Sequence, residues 1–224
     1  MTLTAQEVEQ LKHAPAVPRV LPVVLERWSP RSFDASRNVS SEDLRILFEA
    51  ARWAASSSNE QPWRWIVGLR GPESGPEAHP ETQPEPHHDA YNKIFQSLGE
   101  WNQAWAGSAP VLVLGLAKAS FSKDGSANQY AMHDLGAADA TLCYQATALG
   151  LHSHQMAGFD HALARRLFNI PEDYHLGSVN AIGYLGEPAA LKVEYQRNLE
   201  TVPRTRKPLA EIVFSGWEQP LDLI

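Results

Sequence analysis

Four arginines form two compact clusters near opposite ends of the chain. Arg27 and Arg31 lie in the stretch ERWSPRSF, close to Ser29. Arg204 and Arg206 lie in the stretch PRTRKP. A guanidinium offers paired N–H donors that match the oxygens of a phosphate, and a serine hydroxyl adds a neutral donor. Each cluster alone is more typical of a solvated surface than of a site. If the C-terminal segment folds back beside the first cluster, three or four guanidiniums would surround one small anion.

The stretch AASSSNEQPWRW, residues 54–65, is a second candidate for chemistry. Its small hydroxyl residues and asparagine lie between a predicted helix and a predicted strand, where they supply many hydrogen-bonding groups on a loop. The Gln-Pro-Trp sequence then sets a sharp entry into the strand. Two interpretations stay open: a loop that binds a ligand, or ordinary loop chemistry followed by an aromatic anchor of the core.

Several other kinds of catalytic site are absent from the sequence. It contains no GxSxG elbow, no Walker loop and no GxGxxG after a strand. His152 and His154 share one face of a predicted strand, but no acid or cysteine is spaced to complete a metal site with them. Cys143 is the one cysteine, so no internal disulfide or CxxC site is possible, and we expect it to be a small buried side chain. The sequence therefore predicts no metal centre.

Composition narrows the class of protein further. The 224 residues contain 19 Lys and Arg against 26 Asp and Glu, a formal charge of −7. This balance argues against affinity for nucleic acid or for an anionic membrane, because both need a basic face. The N-terminal MTLTAQEVEQ is polar and predicts no secretory signal, and the longest apolar run, residues 111–117, is too short to cross a bilayer. We expect a cytoplasmic protein with one domain over residues 1–224.

The elements that must position these residues can be read from hydrophobic periodicity. Helices are predicted at about residues 20–27, 40–54, 91–107, 130–149 and 161–168, the long one ending at Gly150. Strands are predicted in WRWIVGL, PVLVLGLAK, LHSHQM and GSVNAIGYLG. Four or five strands among about six helices, without strict alternation, predict an α+β fold rather than a doubly wound sheet.

Residues 71–88, GPESGPEAHPETQPEPHH, differ in kind from the rest of the chain. A Pro-Glu pair recurs every four residues. Such a composition cannot bury a core and disfavours both helix and sheet. We therefore expect an acidic, extended surface loop at about 71–88.

Four blocks follow one another along the chain: RWSPRSFD, AARWAASSSNEQPWRWIV, ALGLHSHQMAGFD and RTRKPLAEIV. In this order and approximate spacing they resemble the FMN-dependent nitroreductase family, from about residue 20 to 216, with the Pro/Glu loop as an insertion. The resemblance implies an α+β fold in which a central, mostly antiparallel sheet is flanked by helices. It also implies an intertwined homodimer with two FMN sites at the subunit interface.

The resemblance also implies roles for the two arginine clusters. In the family, the Arg-x-Ser-x-Arg segment binds the phosphate, the ribityl chain and the pyrimidine edge of the flavin. That role falls here on Arg27, Ser29 and Arg31, with Trp28 contributing its backbone. A C-terminal basic pair closes on the phosphate, and Arg204 and Arg206 match it.

A loop of the partner subunit reaches the flavin in such proteins. The positions that match it here are Ala55, Ser56, Ser57 and Asn59, with Gln61 nearby. Ala55 stands where the family usually has a proline. Since backbone donors survive this change, the resemblance still implies FMN binding.

Three further positions match family residues around the flavin ring. Asn102 resembles a helix asparagine that meets the pyrimidine side. Ala157 and Gly158 match a strand-end pair whose backbone amides face the flavin N5 and O4 region. Ala157 replaces a common acidic residue, and Trp105 stands where some members carry a lysine. These departures bear on the redox potential and on the substrate pocket.

The activity that the resemblance implies is oxidoreduction with NADH or NADPH as co-substrate. In a ping-pong cycle the nicotinamide would reduce FMN and leave, and an electron-poor acceptor would then use the same flavin face. Nitroaromatics, quinones and enone-like metabolites are the expected acceptors. Because the cofactor carries the hydride chemistry, no acid–base or nucleophile motif is required. A cation such as Arg31 near N1 and O2 would favour the negatively charged reduced flavin.

Other functions are also compatible with the sequence. The chain could be a specialised flavoenzyme of the same fold, such as a reductive dehalogenase or an enzyme that fragments its flavin. It could also be a non-catalytic flavin-binding protein, or a non-flavin domain with accidental basic clusters. A set of aromatic residues either walls a substrate pocket or packs in the core: Tyr91, Phe95, Trp101, Trp105 and Phe121.

Overall fold

A four-stranded antiparallel sheet lies at the centre of the computed structural model, which describes residues 3–71 and 86–222. The strands are paired in the order β1-β2-β4-β3. They are β1 Trp63–Leu69, β2 Val111–Lys118, β3 His152–Met156 and β4 Tyr174–Gly183. A separate two-stranded sheet pairs β5 Phe214–Gly216 with β6 Gln219–Pro220. The four predicted strands and the α+β class are confirmed.

Within these ranges, eight α-helices surround the sheet. They are α1 Ala5–Lys12, α2 Pro22–Glu26, α3 Ser41–Arg52, α4 Pro86–Ser97, α5 Glu100–Ala106, α6 Ala131–Ala148, α7 His161–Phe168 and α8 Glu194–Glu200. Ser40 caps α3 by accepting a hydrogen bond from the backbone N–H of Asp43. Gly150 follows α6 at φ 71°, the left-handed conformation that suits glycine after a helix.

The sheet separates two apolar layers, and β2 belongs to both of them. Val111 and Val113 pack with α3 and α6 on one face, while Leu112 and Leu114 pack with α4 and α7 on the other. Successive side chains of a strand point to opposite faces, so the apolar run of β2 is buried on both sides. The strand that looked like the longest hydrophobic segment is therefore the middle of the core.

Helix α4 lies directly against β1 because Gly68 has no side chain. A Cβ at Gly68 would stand 2.4 Å from the backbone of Tyr91. Tyr91 is fully buried, and its hydroxyl donates a hydrogen bond to the carbonyl of Ala109 (2.8 Å). Tyr91 is thus a core residue, as the packing alternative for the aromatic set supposed.

Two predicted boundaries are corrected by the structure. The single helix predicted at 91–107 is two helices, because the chain turns at Gly99 to donate a backbone hydrogen bond to the Gly158 carbonyl (3.0 Å). The predicted loop 71–88 ends earlier than expected, because Pro86 begins α4, a position where proline is tolerated. Residues 72–85 of that loop lie outside the described residues.

A carboxyl group is buried between α6 and β1. Asp139 accepts a hydrogen bond from the indole nitrogen of Trp65 (2.9 Å), and burial raises the pKa of its carboxyl to about 6. In the unfolded chain the same group ionises near pH 4. Because the native state resists ionisation, the stability associated with Asp139 is lost as the pH rises from about 4 to 6.

The variant Asp139→Asn keeps an acceptor for Trp65 and removes the titration. Relative to the wild type, its free energy of unfolding should rise by up to about 3 kcal/mol between pH 4 and pH 7. Urea unfolding at several pH values measures this difference. Parallel pH profiles for the two proteins would show that Asp139 does not titrate in this range.

Candidate cofactor site

The first arginine cluster lies on an extended segment that follows α2 and is held from several sides. The carbonyl of Pro30 accepts a hydrogen bond from His154 Nδ1 on β3 (2.8 Å), and the hydroxyl of Ser32 donates to the Glu187 carbonyl (2.6 Å). Burial lowers the pKa of His154 to about 4, so the ring is neutral and Nδ1 carries the donated proton. His154 thus has a structural task. Within the segment, Arg27 lies 3.3 Å from the hydroxyl of Ser29.

The second cluster meets the first, 177 residues away along the chain. The guanidinium of Arg204 donates hydrogen bonds to the carbonyls of Arg27 (2.6 Å) and Leu25. Burial lowers the pKa of Arg204, and the positive charges of Arg27 and Arg206 lower it further. The condition set by the sequence, that the C-terminal segment folds back, is therefore fulfilled, and the arginines are close enough to repel one another.

Two clefts adjoin this group of arginines. The inner cleft, of about 240 Å³, lies between Arg27 and Ser29, the α6 residues Ala140, Cys143 and Tyr144, and the β3 residues Ser153 and Gln155. The outer cleft, of about 550 Å³, is lined by Ala14, Pro15, Val24, Leu25, Arg27, Tyr144, Arg204 and Arg206. Both clefts contain Arg27 and Tyr144, so they adjoin at these residues. The arrangement offers cationic donors beside a polar trough, which fits a phosphorylated ligand with a polyol chain.

Arg31 is held away from these clefts by an ion pair. Its guanidinium lies 3.5 Å from Glu200, and its backbone N–H donates to the same carboxylate oxygen (3.0 Å). Glu200 is buried; burial raises its pKa, while Arg31 and Lys12 act in the opposite direction. Sequence reasoning missed Glu200, because a glutamate in a short helix carries no signal of burial. The expected role of Arg31 at the flavin N1 and O2 stays a prediction.

Trp28 is buried and serves as an anchor for this segment. Its ring meets that of His152 edge-on at 5.9 Å, and the ammonium of Lys12 lies 5.2 Å from the ring centroid. His152 in turn lies 3.4 Å from the carboxylate of Glu9, an acid that the sequence did not place beside it. The buried indole thus anchors the segment that carries Arg27 and Ser29. The expected backbone contact of Trp28 with a flavin stays a prediction.

The loop after α3 contains unusual backbone conformations. Ser58, Asn59 and Gln61 have φ values of 54°, 54° and 52°, which are uncommon for residues other than glycine. The hydrogen bonds that hold the loop include Gln61 N–H to the Ser56 hydroxyl (3.0 Å) and Ser57 N–H to Asp134 Oδ2 on α6 (2.9 Å). Sparsely populated backbone conformations persist where the surroundings enforce them, often at functional sites.

This loop and the inner cleft lie at different places on α6. Ser57 is tied to Asp134, whereas the cleft is lined by Ala140 and Tyr144. With a rise of 1.5 Å per residue, these positions are about 9–15 Å apart along the helix. Among the described residues that line either cleft, none belongs to the loop 55–61 that contains Ala55. One chain therefore does not bring the predicted partner loop onto its own arginine cluster.

The strand-end pair lies beyond the end of β3 and is held by α5. Asn102 Nδ2 donates to the carbonyl of Gly158 (3.0 Å), which also accepts the backbone N–H of Gly99 (3.0 Å). Ala157 and Gly158 are themselves exposed. A Cβ at Gly158 would stand 3.1 Å from the Asn102 amide. Sequence reasoning singled out Asn102 and Gly158 separately, and the structure adds that one positions the other.

Two tryptophans from the predicted aromatic set differ in their surroundings. Trp105 is buried between Phe33 and His154, with ring centroids 6.2 and 4.6 Å away, so it packs in the core. Trp101 is exposed and packs on Tyr195.

Within residues 3–71 and 86–222, no group of three or more His, Cys, Asp or Glu side chains is arranged to hold a metal ion. No helix in the same ranges is long and apolar enough to cross a membrane.

Comparison with known proteins decides the family. The model of the Nitroreductase family matches residues 24–184. The chain belongs to the Nitroreductase family. It is 34% identical over 162 residues to an uncharacterised 15.4 kDa protein of Mycolicibacterium smegmatis, covering 70% of this chain and 99% of the relative.

Two further relatives of this nitroreductase-family protein are named for flavins. A crystal structure of an oxidoreductase containing FMN has a TM-score of 0.76 and 30% identity, with 91% of this chain and 94% of that chain covered. A stretch of 41 residues, 18% of this chain and 19% of the relative, is 51% identical to the major NAD(P)H-flavin oxidoreductase of Aliivibrio fischeri. The resemblance stated from the four sequence blocks is thus confirmed.

Proposed function

We propose that this chain is an FMN-dependent oxidoreductase that uses NADH or NADPH to reduce electron-poor small molecules in a ping-pong cycle. Nitroaromatics, quinones and enone-like metabolites are the acceptor classes. The observation that carries the proposal is the convergence of Arg27, Arg204 and Arg206 on two adjoining clefts in a Nitroreductase-family protein. The FMN of one relative and the nicotinamide named for another support the choice of cofactor and co-substrate.

The arginine group would bind the phosphate of FMN. Arg27, Arg204 and Arg206 lie together without a carboxylate among the residues that line the outer cleft. Burial is the first cause of the lowered pKa of Arg204, and a phosphate dianion would relieve the second cause, the repulsion from Arg27 and Arg206. The hydroxyl of Ser29, beside Arg27, would add a neutral donor. Bound in this way, FMN supplies the hydride chemistry, and the chain supplies binding and orientation.

The other end of the site would lie at the Ala157–Gly158 pair. Asn102 and Gly99 hold the Gly158 carbonyl, so the exposed backbone of this turn keeps a fixed direction toward a ligand. Ala157 contributes no carboxylate, and Trp105 is buried in the core. The environment of the flavin ring would therefore depend on backbone dipoles more than on side-chain charges.

We infer that the functional unit is a homodimer with FMN at the interface. The loop 55–61 is bonded to Asp134, about 9–15 Å along α6 from Ala140 and Tyr144 of the inner cleft, and it lines neither cleft of its own chain. In a two-fold dimer, Ser56, Ser57, Asn59 and Gln61 of one subunit would reach the flavin held by its partner. Ala55 would lead into this loop.

The double variant Arg27→Ala/Arg206→Ala tests the phosphate site. Arg204 is left intact because its hydrogen bonds hold two carbonyls, whereas Arg206 donates an exposed hydrogen bond to the carbonyl of the adjacent Thr205 (2.7 Å). Each lost charge-assisted bond is worth about 1.5–3 kcal/mol, so FMN affinity should fall at least about 100-fold. Titration of flavin into the apoprotein measures the loss.

The charge-matched control is Arg45→Ala/Arg166→Ala, which removes two exposed cations that line neither cleft. It should bind FMN like the wild type. Equal affinity of all three proteins would contradict the phosphate assignment.

Turnover distinguishes the proposed enzyme from its alternatives. The purified protein should be yellow, anaerobic NADH or NADPH should bleach the flavin absorbance, and a nitroaromatic or quinone should restore it. A yellow protein that does not bleach would favour a non-catalytic flavin-binding protein. Steady turnover with an acceptor would count against a flavin-fragmenting enzyme. A colourless protein that does not bind added FMN would contradict the proposal as a whole.

Complementation between two defective chains tests the shared site. Arg27→Ala/Arg206→Ala and the loop variant Ser56→Ala/Asn59→Ala should each bind FMN poorly as homodimers. In mixed dimers, one of the two sites receives an intact arginine cluster and an intact loop, so about half of the sites should bind with wild-type affinity. No recovery in tagged, purified mixed dimers would mean that the arginine cluster and the loop of one site belong to the same chain.

Light scattering provides a second test of the dimer. A 24.8 kDa particle that keeps FMN would contradict it.

A further inference from the structure

We propose that Ser153 on β3 is an additional cofactor-binding residue, whose hydroxyl donates a hydrogen bond to the phosphate or to a ribityl oxygen of FMN. This inference rests on the proposed function. It concerns a residue that neither the arginine pattern nor the family resemblance singled out.

The hydroxyl of Ser153 is buried without a partner. The residue is 2% exposed, and its Oγ makes no hydrogen bond within the described part of the chain. A buried hydroxyl that loses its hydration without a replacement costs about 1–3 kcal/mol. Nearly all buried polar groups in folded proteins are satisfied, so such an atom calls for a partner from outside the chain.

The direction of the side chain identifies where that partner would lie. Successive residues of a strand point to opposite faces, and His154 contacts Pro30 on one side of β3. Ser153 and Gln155 point to the other side, where both line the inner cleft with Cys143. The unpartnered oxygen therefore belongs to the cleft that contains Arg27 and Ser29.

The position of Ser153 along β3 indicates which part of FMN its hydroxyl would contact. At about 3.4 Å per residue, Ser153 lies about 14 Å from Ala157, where the flavin ring is expected. Arg27 and Ser29 line the same cleft as Ser153, and they are the residues proposed to bind the phosphate. Ser153 would therefore meet the phosphate or the neighbouring polyol, not the ring.

The test compares Ser153→Ala with a matched serine variant. Ser97 is equally buried, but its hydroxyl donates to the carbonyl of Ile94 (2.7 Å), so it has a partner inside the chain. Ser153→Ala should raise the Kd for FMN about tenfold while the apoprotein stays at least as stable as the wild type. Ser97→Ala should lower the stability of the apoprotein and leave the Kd for FMN unchanged.

Riboflavin, which lacks the phosphate, separates the two possible contacts. A loss of affinity that disappears with riboflavin would assign Ser153 to the phosphate, and one that persists would assign it to the ribityl chain. An unchanged Kd for FMN in Ser153→Ala would overturn the inference while leaving the proposed function standing. Failure of the wild type to bind FMN would overturn both.

Cys143 provides a second readout that does not depend on activity. It is the one cysteine of the chain and lies in the wall of the inner cleft. FMN should slow alkylation of Cys143 by iodoacetamide in the wild type, as followed by mass spectrometry. Ser153→Ala should need about tenfold more FMN for the same protection. Labelling that saturating FMN does not slow would exclude the inner cleft as the flavin site and would overturn the assignment.

Discussion

The hydrogen bonds from Arg204 to the carbonyls of Leu25 and Arg27 unite the two ends of the chain. They hold the segment that carries Arg206 beside the end of α2, and the Arg31–Glu200 pair joins the same two parts of the chain at α8. Because the donors of Arg204 are used on neutral carbonyls, its positive charge is not cancelled. Arg27, Arg204 and Arg206 therefore leave an excess of positive charge in an acidic protein, which only an anion can compensate.

Strand β3 of the central sheet positions residues of the candidate site. Residues on one face of the strand serve the fold, since His154 holds the Pro30 carbonyl and thereby the segment that carries Arg27. Residues on the other face serve the cleft, where Ser153 lies beside α6. The strand is anchored in the core by pairing with β4, which in turn pairs with the doubly buried β2. A short edge strand can thus support both the fold and the candidate site.

The regular elements could be predicted from the sequence, while the contacts between them could not. WRWIVGL and HALARRLF coincide with β1 and α7, because periodicity and local capping decide such elements. The break between α4 and α5 depends on a bond from Gly99 to Gly158, which no local pattern records. The pairing of Arg31 with Glu200 and the isolation of the Ser153 hydroxyl are likewise consequences of burial. The four blocks did indicate the family, because their order is preserved even where individual contacts cannot be foreseen.

The loop at 56–61 is ordered by contacts within its own chain. Its residues Ser58, Asn59 and Gln61 have left-handed backbones. The backbone N–H groups of Asn59 and Gln61 donate to Ser56, and the N–H of the neighbouring Ser57 donates to Asp134. Glu60 adds a further anchor, since its carboxylate accepts hydrogen bonds from the backbone and hydroxyl of Ser122. The free-energy cost of these backbone conformations is therefore offset by interactions formed when the single chain folds. Association in a dimer would then need little further ordering of this loop, because a preorganised surface loses less entropy on binding.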